Sequence, residues 1–155
     1  PGTVCGYSPR MRFDTIVNLL TLQALMHKRL IIEGGKQIRP HINIHDLIEI
    51  YIYCIKNQKK MKGIYNAAFE NYSIKAIAKK VQKIIDCTLQ YSKNLDIRSY
   101  RQDSSKIIRK GYKPKYTVDD AIREIVKLYQ NNKLKYEDRF YNLRWMIKKG
   151  YNKLS

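Results

Sequence analysis

Helix-period segments alternate with short β-prone runs along this chain, and the alternation narrows the folds open to it. Apolar residues recur at helical spacing in four segments, which begin near Phe13, Asp46, Ser73 and Thr117. The last three of these residues are also suited to cap a helix. Runs rich in β-branched and aromatic residues lie between the segments. We therefore predict a mixed α/β lobe with a few short strands and about four to five helices.

The length and composition fit one compact domain. The chain has 155 residues, of which 44% are apolar, so a packed core is possible. Charged residues interrupt every apolar run before it reaches the roughly 18 residues of a membrane span. Three widely spaced cysteines without a C-x-x-C motif indicate reduced thiols. We therefore predict a cytoplasmic protein with no membrane partner.

The formal net charge of +18 raises the alternative of nucleic-acid binding. The basic residues, however, are spread over the whole chain and form no single arm. Lysine, isoleucine, asparagine and tyrosine are all abundant, a composition that A+T-rich codons also produce. A basic nucleic-acid-binding or structural interaction module therefore stays open as the second hypothesis, with nucleic acid as the less favoured partner.

Residues 33–54 hold the densest group of polar and charged candidates. Gly34 and Gly35 lie between two β-prone runs, and a Gly-Gly pair in that position predicts a tight hairpin. Asp46 precedes apolar residues at helical spacing, which predicts an amphipathic helix with Asp46 as its N-cap.

Metal binding is the first chemistry that this stretch suggests. His41 and His45 could share one strand face with Asn43, but no H-E-x-x-H pattern accompanies them. Hydrogen-bonded or solvated histidines are the better interpretation, and we predict no metal site.

Covalent or proton-transfer catalysis has little support. Cys5 has no histidine partner motif, and a small buried residue is its better interpretation. Tyr129 and Lys133 match a Tyr-x-x-x-Lys pattern, but a chain with 13 tyrosines and many lysines produces such matches by chance. The pair also stands where a capped helix is predicted to end. We therefore assign no catalytic residue.

Anion binding is the chemistry that the arginines favour. Arg39 stands next to the rigid Pro40, while Arg98 and Arg101 lie in a separate polar segment. The planar guanidinium suits phosphate oxygens and keeps its charge when it is partly buried. Arginines from two separate segments could close on a diphosphate, and we take all three as candidate substrate-binding residues.

Four segments carry a family resemblance when they are taken in chain order: GTVCGYSPRMRFD, GGKQIRPHINIHDLIEIYIYCI, GIYNAAFENYSIKAIAKKV and RSYRQDSSKIIRKGYKPKYTVDDAIREIVKLY. They resemble the C-terminal, substrate-binding half of extended short-chain dehydrogenase/reductases, the NAD-dependent nucleotide-sugar epimerases and dehydratases. The resemblance spans Gly2 to about Tyr129. It divides the chain into a substrate-binding lobe, residues 1–130, and a C-terminal helical tail, residues 131–155.

The resemblance implies roles for individual substrate-binding residues. Arg39 would contact the diphosphate of a nucleotide sugar, and Arg98 would complete the phosphate clamp. The residues from Leu30 through Ile31 to Ile32 would line the pocket of the base.

The resemblance also implies structural roles. Asp46 would begin the helix behind Arg39 and help to fix the turn, and Gly34 and Gly35 would form a turn without holding a nucleotide. Histidines at positions 41 and 45 would then be variation along a strand.

Two parts that such enzymes need for catalysis have no counterpart in this sequence. The glycine-rich NAD loop and the catalytic Tyr-x-x-x-Lys of the family precede the position of Gly2. We therefore expect a fragment or truncated gene product that binds no cofactor and is inactive alone, whereas the full-length parent would use NAD. Its expected ligand is a nucleotide-diphosphate sugar. Its expected partner is a Rossmann-domain segment, or a second copy, packed on exposed apolar surface.

Overall fold

The computed structural model describes residues 1–92 and 97–151, and these residues form a mixed α/β lobe. Its strands are β1 (Thr3–Cys5), β2 (Arg29–Glu33), β3 (Ile38–Asn43), β4 (Glu70–Ser73) and β5 (Thr88–Ser92). Its α-helices are α1 (Ile16–His27), α2 (Ile44–Lys56), α3 (Ile74–Ile84), α4 (Ser105–Arg109), α5 (Val118–Gln130) and α6 (Asn142–Lys148). The predicted fold class is confirmed, with one helix more than expected in the described residues because both short helices, α4 and α6, form.

The strands form two small sheets. β3 lies between β1, which runs parallel to it, and β4, which runs antiparallel. In this register His41 of β3 stands opposite Thr3 on one side and Glu70 on the other. β2 pairs in parallel with β5 in the second sheet. β3 is therefore the central strand of its sheet, and it carries both Arg39 and His41.

The hairpin predicted at Gly34 and Gly35 is wrong. β2 ends at Glu33 and β3 begins at Ile38, but the two strands belong to different sheets. Both glycines have a positive φ, 73° and 112°, so the chain does turn there. The Gly-Gly pair determines only this local turn, whereas the long-range pairing of β2 with β5 decides which sheet the strand joins.

The N-cap predicted for α2 is also wrong. The Asn43 side chain, and not Asp46, accepts the capping hydrogen bond, which the backbone N–H of His45 donates at 2.9 Å. The helix begins at Ile44, and Asp46 therefore lies inside its first turn. Asn is as good an N-cap as Asp, so the choice between the two could not be made from residue type alone.

The caps predicted for two other helices are confirmed. The hydroxyl of Ser73 accepts from the N–H of Ala76 at the start of α3. Thr117 and Asp120 form a reciprocal capping box at the start of α5. None of the helices in the described residues has the length and apolar character needed to cross a bilayer.

The core lies around β2 and extends to the C-terminal tail. Leu30 and Ile32 are fully buried, in one cluster with apolar residues of α1, α3 and α5. A second cluster joins Phe13, ahead of α1, to Phe140 in a short 3₁₀ turn before α6, and the two rings meet edge-on at 5.4 Å. The backbone N–H of Phe13 also donates to the carbonyl of Phe140 at 2.9 Å. Leu134, Phe140 and Tyr141 thus pack on the rest of the lobe, and the predicted domain boundary at 130 stays a prediction.

Candidate functional site

A cleft of about 1160 Å³ opens where β1, the loop before α1 and the start of β3 come together. Gly2, Thr3 and Val4 form one side, and residues in the ranges 8–16 and 98–102 form two others. A volume of this size accommodates a small organic ligand, for which roughly 300–1,000 Å³ is usual. This cavity is called the cleft below.

Arginines are concentrated in the cleft. The chain has ten arginines, and five of them line it: Arg10, Arg12, Arg39, Arg98 and Arg101. Among the described residues no lysine lines the cleft, although lysine is the commoner basic residue. Within the described lining, Asp14 and Glu33 are the acidic residues. The described part of the cleft therefore carries net positive charge, in guanidinium groups that can each donate two hydrogen bonds to one carboxylate or phosphate.

Arg39 is held rigidly at the cleft wall. Its side chain lies on central strand β3, and the residue is only 9% exposed. Nη1 donates to the carbonyl of Ile38 at 3.0 Å and also to the carbonyl of Arg98. The guanidinium carbon lies 5.2 Å from the centre of the Tyr100 ring. Position 39 therefore shares the cleft with position 98 and contacts its backbone directly.

The segment that carries Arg98 and Arg101 is attached to the sheet by backbone hydrogen bonds. The N–H of Tyr100 donates to the carbonyl of Ile38 at 3.2 Å, and the N–H of Ile38 donates to the Ser99 hydroxyl at 3.0 Å. These contacts place the segment beside the first residue of β3. They bring together arginines that are about sixty positions apart in the sequence.

The same segment is fastened further along by two side chains. Asn71 of β4 exchanges two hydrogen bonds with the backbone of Gln102, at 3.0 and 3.2 Å. The buried Ser104 hydroxyl both donates to and accepts from the backbone of Ala68, at 2.8 Å each. The arginines at 98 and 101 are exposed, but the backbone that carries them is thus fixed to the sheet.

Arg10 and Arg12, in the loop before α1, are cleft residues that the sequence reasoning missed. Arg12 Nε lies 2.8 Å from Asp14 Oδ1. Burial opposes ionisation of Asp14, but the hydrogen bond and charge of Arg12 outweigh it and hold the pKa of this carboxyl below its usual value. Arg10 Nη2 donates to Asn142 Oδ1 at 3.2 Å. The available signal was the pair of arginines in SPRMRFD, a stretch already noted for its family resemblance.

The glycine turn is fixed by a neighbouring glutamine. The N–H of Gly35 donates to Gln37 Oε1 at 2.6 Å, and Gln37 Nε2 donates to the carbonyl of Glu33 at 2.6 Å. A Cβ at Gly34 would come within 2.9 Å of Gln37 Oε1. These glycines thus shape the chain that leads to Arg39, and no described contact gives them a direct role in binding.

Ile31 and Ile32 point to opposite sides of β2. Ile31 is 41% exposed and lines the cleft. Ile32 is fully buried with the α3 residues Ile74 and Ile77, and it is not among the described cleft residues. The alternation of a strand explains the difference, because neighbouring side chains face opposite sides. Ile31 stays a candidate for the base pocket, whereas the structure places Ile32 in the core.

Asp46 has a structural environment different from the one expected. The residue is fully buried, and its carboxylate accepts from the Tyr112 hydroxyl at 2.8 Å and from the N–H groups of Lys115 and Tyr116 at 2.9 and 3.0 Å. It therefore holds the segment before α5 against the start of α2. Its described contacts do not reach the turn at Gly34. Burial, followed by the Asp46 carboxylate, raises the pKa of Tyr112.

The two histidines do not share a strand face. His41 lies on β3 and is fully buried, whereas His45 lies in α2, with Nε2 3.1 Å from Glu124 Oε1. Neither ring nitrogen of His41 has a hydrogen-bond partner among the described residues. The described residues contain no group of three or more His, Cys, Asp or Glu side chains placed to hold a metal ion.

Cys5, Tyr129 and Lys133, the other candidates for chemistry, are not among the described lining residues of the cleft. Cys5 is fully buried, and burial raises the pKa of its thiol to about 12, with a further contribution from the charge of Glu70. Tyr129 lies in the last turn of α5, and Lys133 follows the end of that helix. Neither belongs to the described lining of the cleft.

Comparison with solved structures places this geometry in a known fold, although no family model matches the chain. A dTDP-glucose 4,6-dehydratase from Bacillus anthracis, solved in complex with NAD, superposes with a TM-score of 0.68 and 18% identity. The match covers 92% of this chain and 45% of that enzyme. The UDP-glucose 4-epimerase of Thermotoga maritima, solved with UDP-glucose, gives a TM-score of 0.68 and 17% identity over 84% of this chain and 44% of that enzyme.

A third neighbour has higher identity over a shorter part. The GDP-mannoheptose C4 reductase of Campylobacter jejuni, solved with NADP, is 28% identical with a TM-score of 0.54, over 66% of this chain and 32% of that enzyme. The family resemblance found in the sequence is thereby confirmed at the level of the fold. The chain has the fold of the C-terminal part of NAD-dependent nucleotide-sugar epimerases and dehydratases, and it spans less than half the length of these enzymes.

Proposed function

We propose that the cleft binds the diphosphate end of a nucleotide sugar and that the chain is the substrate-binding portion of an NAD-dependent epimerase or dehydratase, similar to UDP-glucose 4-epimerase. The observation that carries the proposal is the convergence of five arginines, without any described lysine, on one cleft. A random placement of basic residues on this lysine-rich chain would favour lysine. The arginine fork can donate two parallel hydrogen bonds to phosphate oxygens, which lysine cannot do.

The clamp would close on the diphosphate from two independent elements. Arg39 projects from central strand β3, and Arg98 and Arg101 project from the segment fastened beside it. The contact between Arg39 and the backbone of Arg98 fixes the spacing between these elements before a ligand arrives. Ile31, exposed on the same cleft, offers apolar contact for the base. Such preorganisation lowers the entropic cost of binding.

The proposed function also requires a segment that binds NAD, and the surface of α2 is where we propose that it docks. Four apolar residues of α2 recur at helical spacing and are 40% to 65% exposed: Ile48, Tyr51, Ile52 and Ile55, called the α2 stripe below. The helix packs beside β1, and within the described residues β1 pairs only with β3, which leaves its other edge open. An open edge beside an apolar stripe suits the addition of a strand and a helix.

A Rossmann-domain segment in that position would also complete the cleft. Thr3 and Val4 of β1 and Ile44 and Leu47 of α2 belong to the cleft lining. A segment added along β1 would therefore stand as a further wall beside the bound sugar. When bound there, NAD would supply reversible oxidation of a sugar hydroxyl, while the residues of this chain would bind the diphosphate and orient the sugar.

The proposal is tested by calorimetric titration of the protein with UDP-glucose, dTDP-glucose and a GDP-sugar. We expect binding of at least one of them, and we expect Arg39→Ala and Arg101→Ala each to weaken it by about tenfold, the cost of one charge-assisted hydrogen bond. Arg101 is exposed, so Arg101→Ala should fold normally. This variant therefore still tests the proposal if Arg39→Ala proves unstable.

Two controls separate specific binding from charge attraction. Arg109→Ala removes an equal charge from α4, outside the described cleft lining, and should leave the affinity unchanged. A DNA duplex tests the alternative of nucleic-acid binding, which would show a steep dependence on salt and little response to nucleotide sugars. Equal losses for Arg101→Ala and Arg109→Ala, or no heat with any nucleotide sugar, would overturn the proposal.

A further inference from the structure

Helix α6 turns an apolar face outward from the protein. None of its residues is buried, and Leu143, Met146 and Ile147 are 71%, 51% and 50% exposed. Their spacing of three and four residues places them side by side on one face. Tyr151, 59% exposed, follows just beyond the helix. These four side chains are called the α6 face below.

Basic residues flank the α6 face. At 100° per residue, Arg144 and Lys148 fall on one side of the apolar residues and Lys149 falls on the other. Trp145 lies on the opposite side of the helix and is partly buried, with Lys149 Nζ 4.8 Å from its ring centre. An apolar strip between two basic flanks is the arrangement of a helix that lies in the interface of an anionic membrane.

Basic side chains outnumber acidic ones in the sequence around α6, so the net charge of this region is positive. From residue 131 to residue 151 the sequence has six basic and two acidic side chains. The acidic ones form ion pairs, Asp138 with Lys148 at 2.8 Å and Glu137 with Arg139 at 2.7 Å. Arg144 lies over the Tyr141 ring at 4.5 Å. An approaching partner therefore meets an apolar centre within a positively charged rim.

The helix is presented by a fixed base. Phe140, at the end of the 3₁₀ turn that precedes the helix, is buried against Phe13. The first N–H of the helix, on Asn142, donates to the Asp14 carboxylate at 3.1 Å, and the N–H of Trp145 donates to the carbonyl of Tyr141 at 2.8 Å. The orientation of the apolar residues away from the protein is thus set by the fold.

We propose that the α6 face is an interfacial anchor that lies on a membrane surface containing anionic phospholipid. Leu143, Met146, Ile147 and Tyr151 would enter the boundary between headgroups and acyl chains, while the basic flanks would meet the headgroup phosphates. A second copy of the chain is a poor occupant, because each copy has a net charge of +18. A nucleic-acid backbone would use the basic flanks but would leave the apolar centre exposed to water.

The anchor does not rest on the proposed nucleotide-sugar site, because none of the four side chains of the α6 face is among the described cleft residues. It also departs from the sequence-based prediction of no membrane partner. That prediction considered only segments long enough to cross a bilayer, and a short helix that lies on the surface has no such requirement.

The test measures vesicle binding directly, because Trp145, the only tryptophan in the sequence, lies on the side of the helix opposite the α6 face and does not report its insertion. The protein is mixed with vesicles of phosphatidylcholine alone, or with vesicles in which about a third of the lipid is phosphatidylglycerol. We expect cosedimentation with the anionic vesicles only, weakened by salt. The absence of a response to the anionic vesicles overturns the proposal.

Paired variants identify the surface responsible. Leu143→Ser with Ile147→Ser should weaken binding by roughly tenfold or more, because two apolar side chains no longer enter the interface. Lys149→Gln should weaken it by about fivefold. Ile52→Ser with Ile55→Ser, an equal change on the exposed side of α2, should bind like the unchanged protein. Thermal unfolding measured in parallel establishes that each variant is folded.

Three outcomes would refute the anchor. Unchanged vesicle binding by the Leu143/Ile147 variant would show that α6 does not insert. Binding of duplex DNA as tight as binding of the anionic vesicles, and unaffected by the same double substitution, would assign the response to charge alone. Self-association of the protein without any vesicles, measured by sedimentation velocity and removed by the double substitution, would identify a second copy as the occupant.

Discussion

Acidification should destabilise this protein through His41. The imidazole is fully buried on the central strand of the three-stranded sheet, and in the part of the chain that the structure describes neither ring nitrogen has a hydrogen-bond partner. Burial, with the charge of Arg39 as a second cause, lowers the pKa of His41 from its usual 6.5 to about 4. The folded state therefore holds the neutral ring over a pH range in which an unfolded chain binds a proton.

The sign and size of the effect follow from these two pKa values. Between pH 6.5 and about 4 the unfolded state binds more protons, so the free energy of unfolding falls as the pH falls. The loss is about 2 kcal/mol at pH 5 and approaches roughly 3 kcal/mol below pH 4, because a tenfold difference in proton affinity between the two states corresponds to about 1.4 kcal/mol. A loss of this size is a large part of the total stability of a small domain.

Urea unfolding between pH 8 and pH 4.5, with the protein unchanged and with His41→Leu, measures the effect. Leucine has a similar size and no polar atom, so it should be neutral or stabilising at pH 8. It should also remove most of the decrease between pH 6.5 and pH 5. His45→Leu is the matched control, because His45 is partly exposed and paired with Glu124. Parallel pH profiles for the unchanged protein and His41→Leu would refute the reasoning.

Two further predictions concern the buried carboxylate and the α2 stripe. Asp46→Asn should lower the free energy of unfolding by about 2–4 kcal/mol, since the carboxylate accepts from Tyr112 and two backbone N–H groups. Urea unfolding measures this loss, with Asp103→Asn at an exposed position as the control. Equal losses of unfolding free energy in the two variants would contradict the prediction. Ile55→Gln, at a site 65% exposed, should raise the solubility of the chain alone and change its unfolding free energy by less than about 0.5 kcal/mol. A loss above about 1 kcal/mol would mean that the stripe is already packed.

The elements that sequence reasoning predicted correctly are those determined locally. Ser73 and Thr117 cap helices because their hydroxyls reach N–H groups three residues ahead, a relation that sequence spacing contains in full. The apolar periods of α3 and α5 are likewise local. The fold class follows from such elements, and the family resemblance supplied their relation to a larger enzyme.

The errors arose where distant residues decide the outcome. Gly34 and Gly35 favour a turn, but β2 joins β5, more than fifty residues later, and no local signal indicates that choice. Ile31 and Ile32 could be separated only once the face of β2 directed to the core was known. The carboxylate of Asp46 accepts hydrogen bonds from Tyr112 and from the backbone near residue 115, contacts that depend on how the segment before α5 packs against α2.

The net positive charge gives a physical reason why the chain can expose both the α2 stripe and the α6 face without associating with itself. The chain has 31 basic residues, and the arginines that line the cleft account for only five of them. Others include Lys56 in α2 and Arg144 and Lys148 in α6, on helices whose exposed isoleucine and leucine would otherwise favour self-association. A net charge of +18 opposes contact between copies of the chain but attracts anionic surfaces. The same charge that keeps identical copies apart thus leaves the α6 face available to a membrane with anionic lipid. At the α2 stripe, the same positive charge favours a partner segment that is not itself strongly basic.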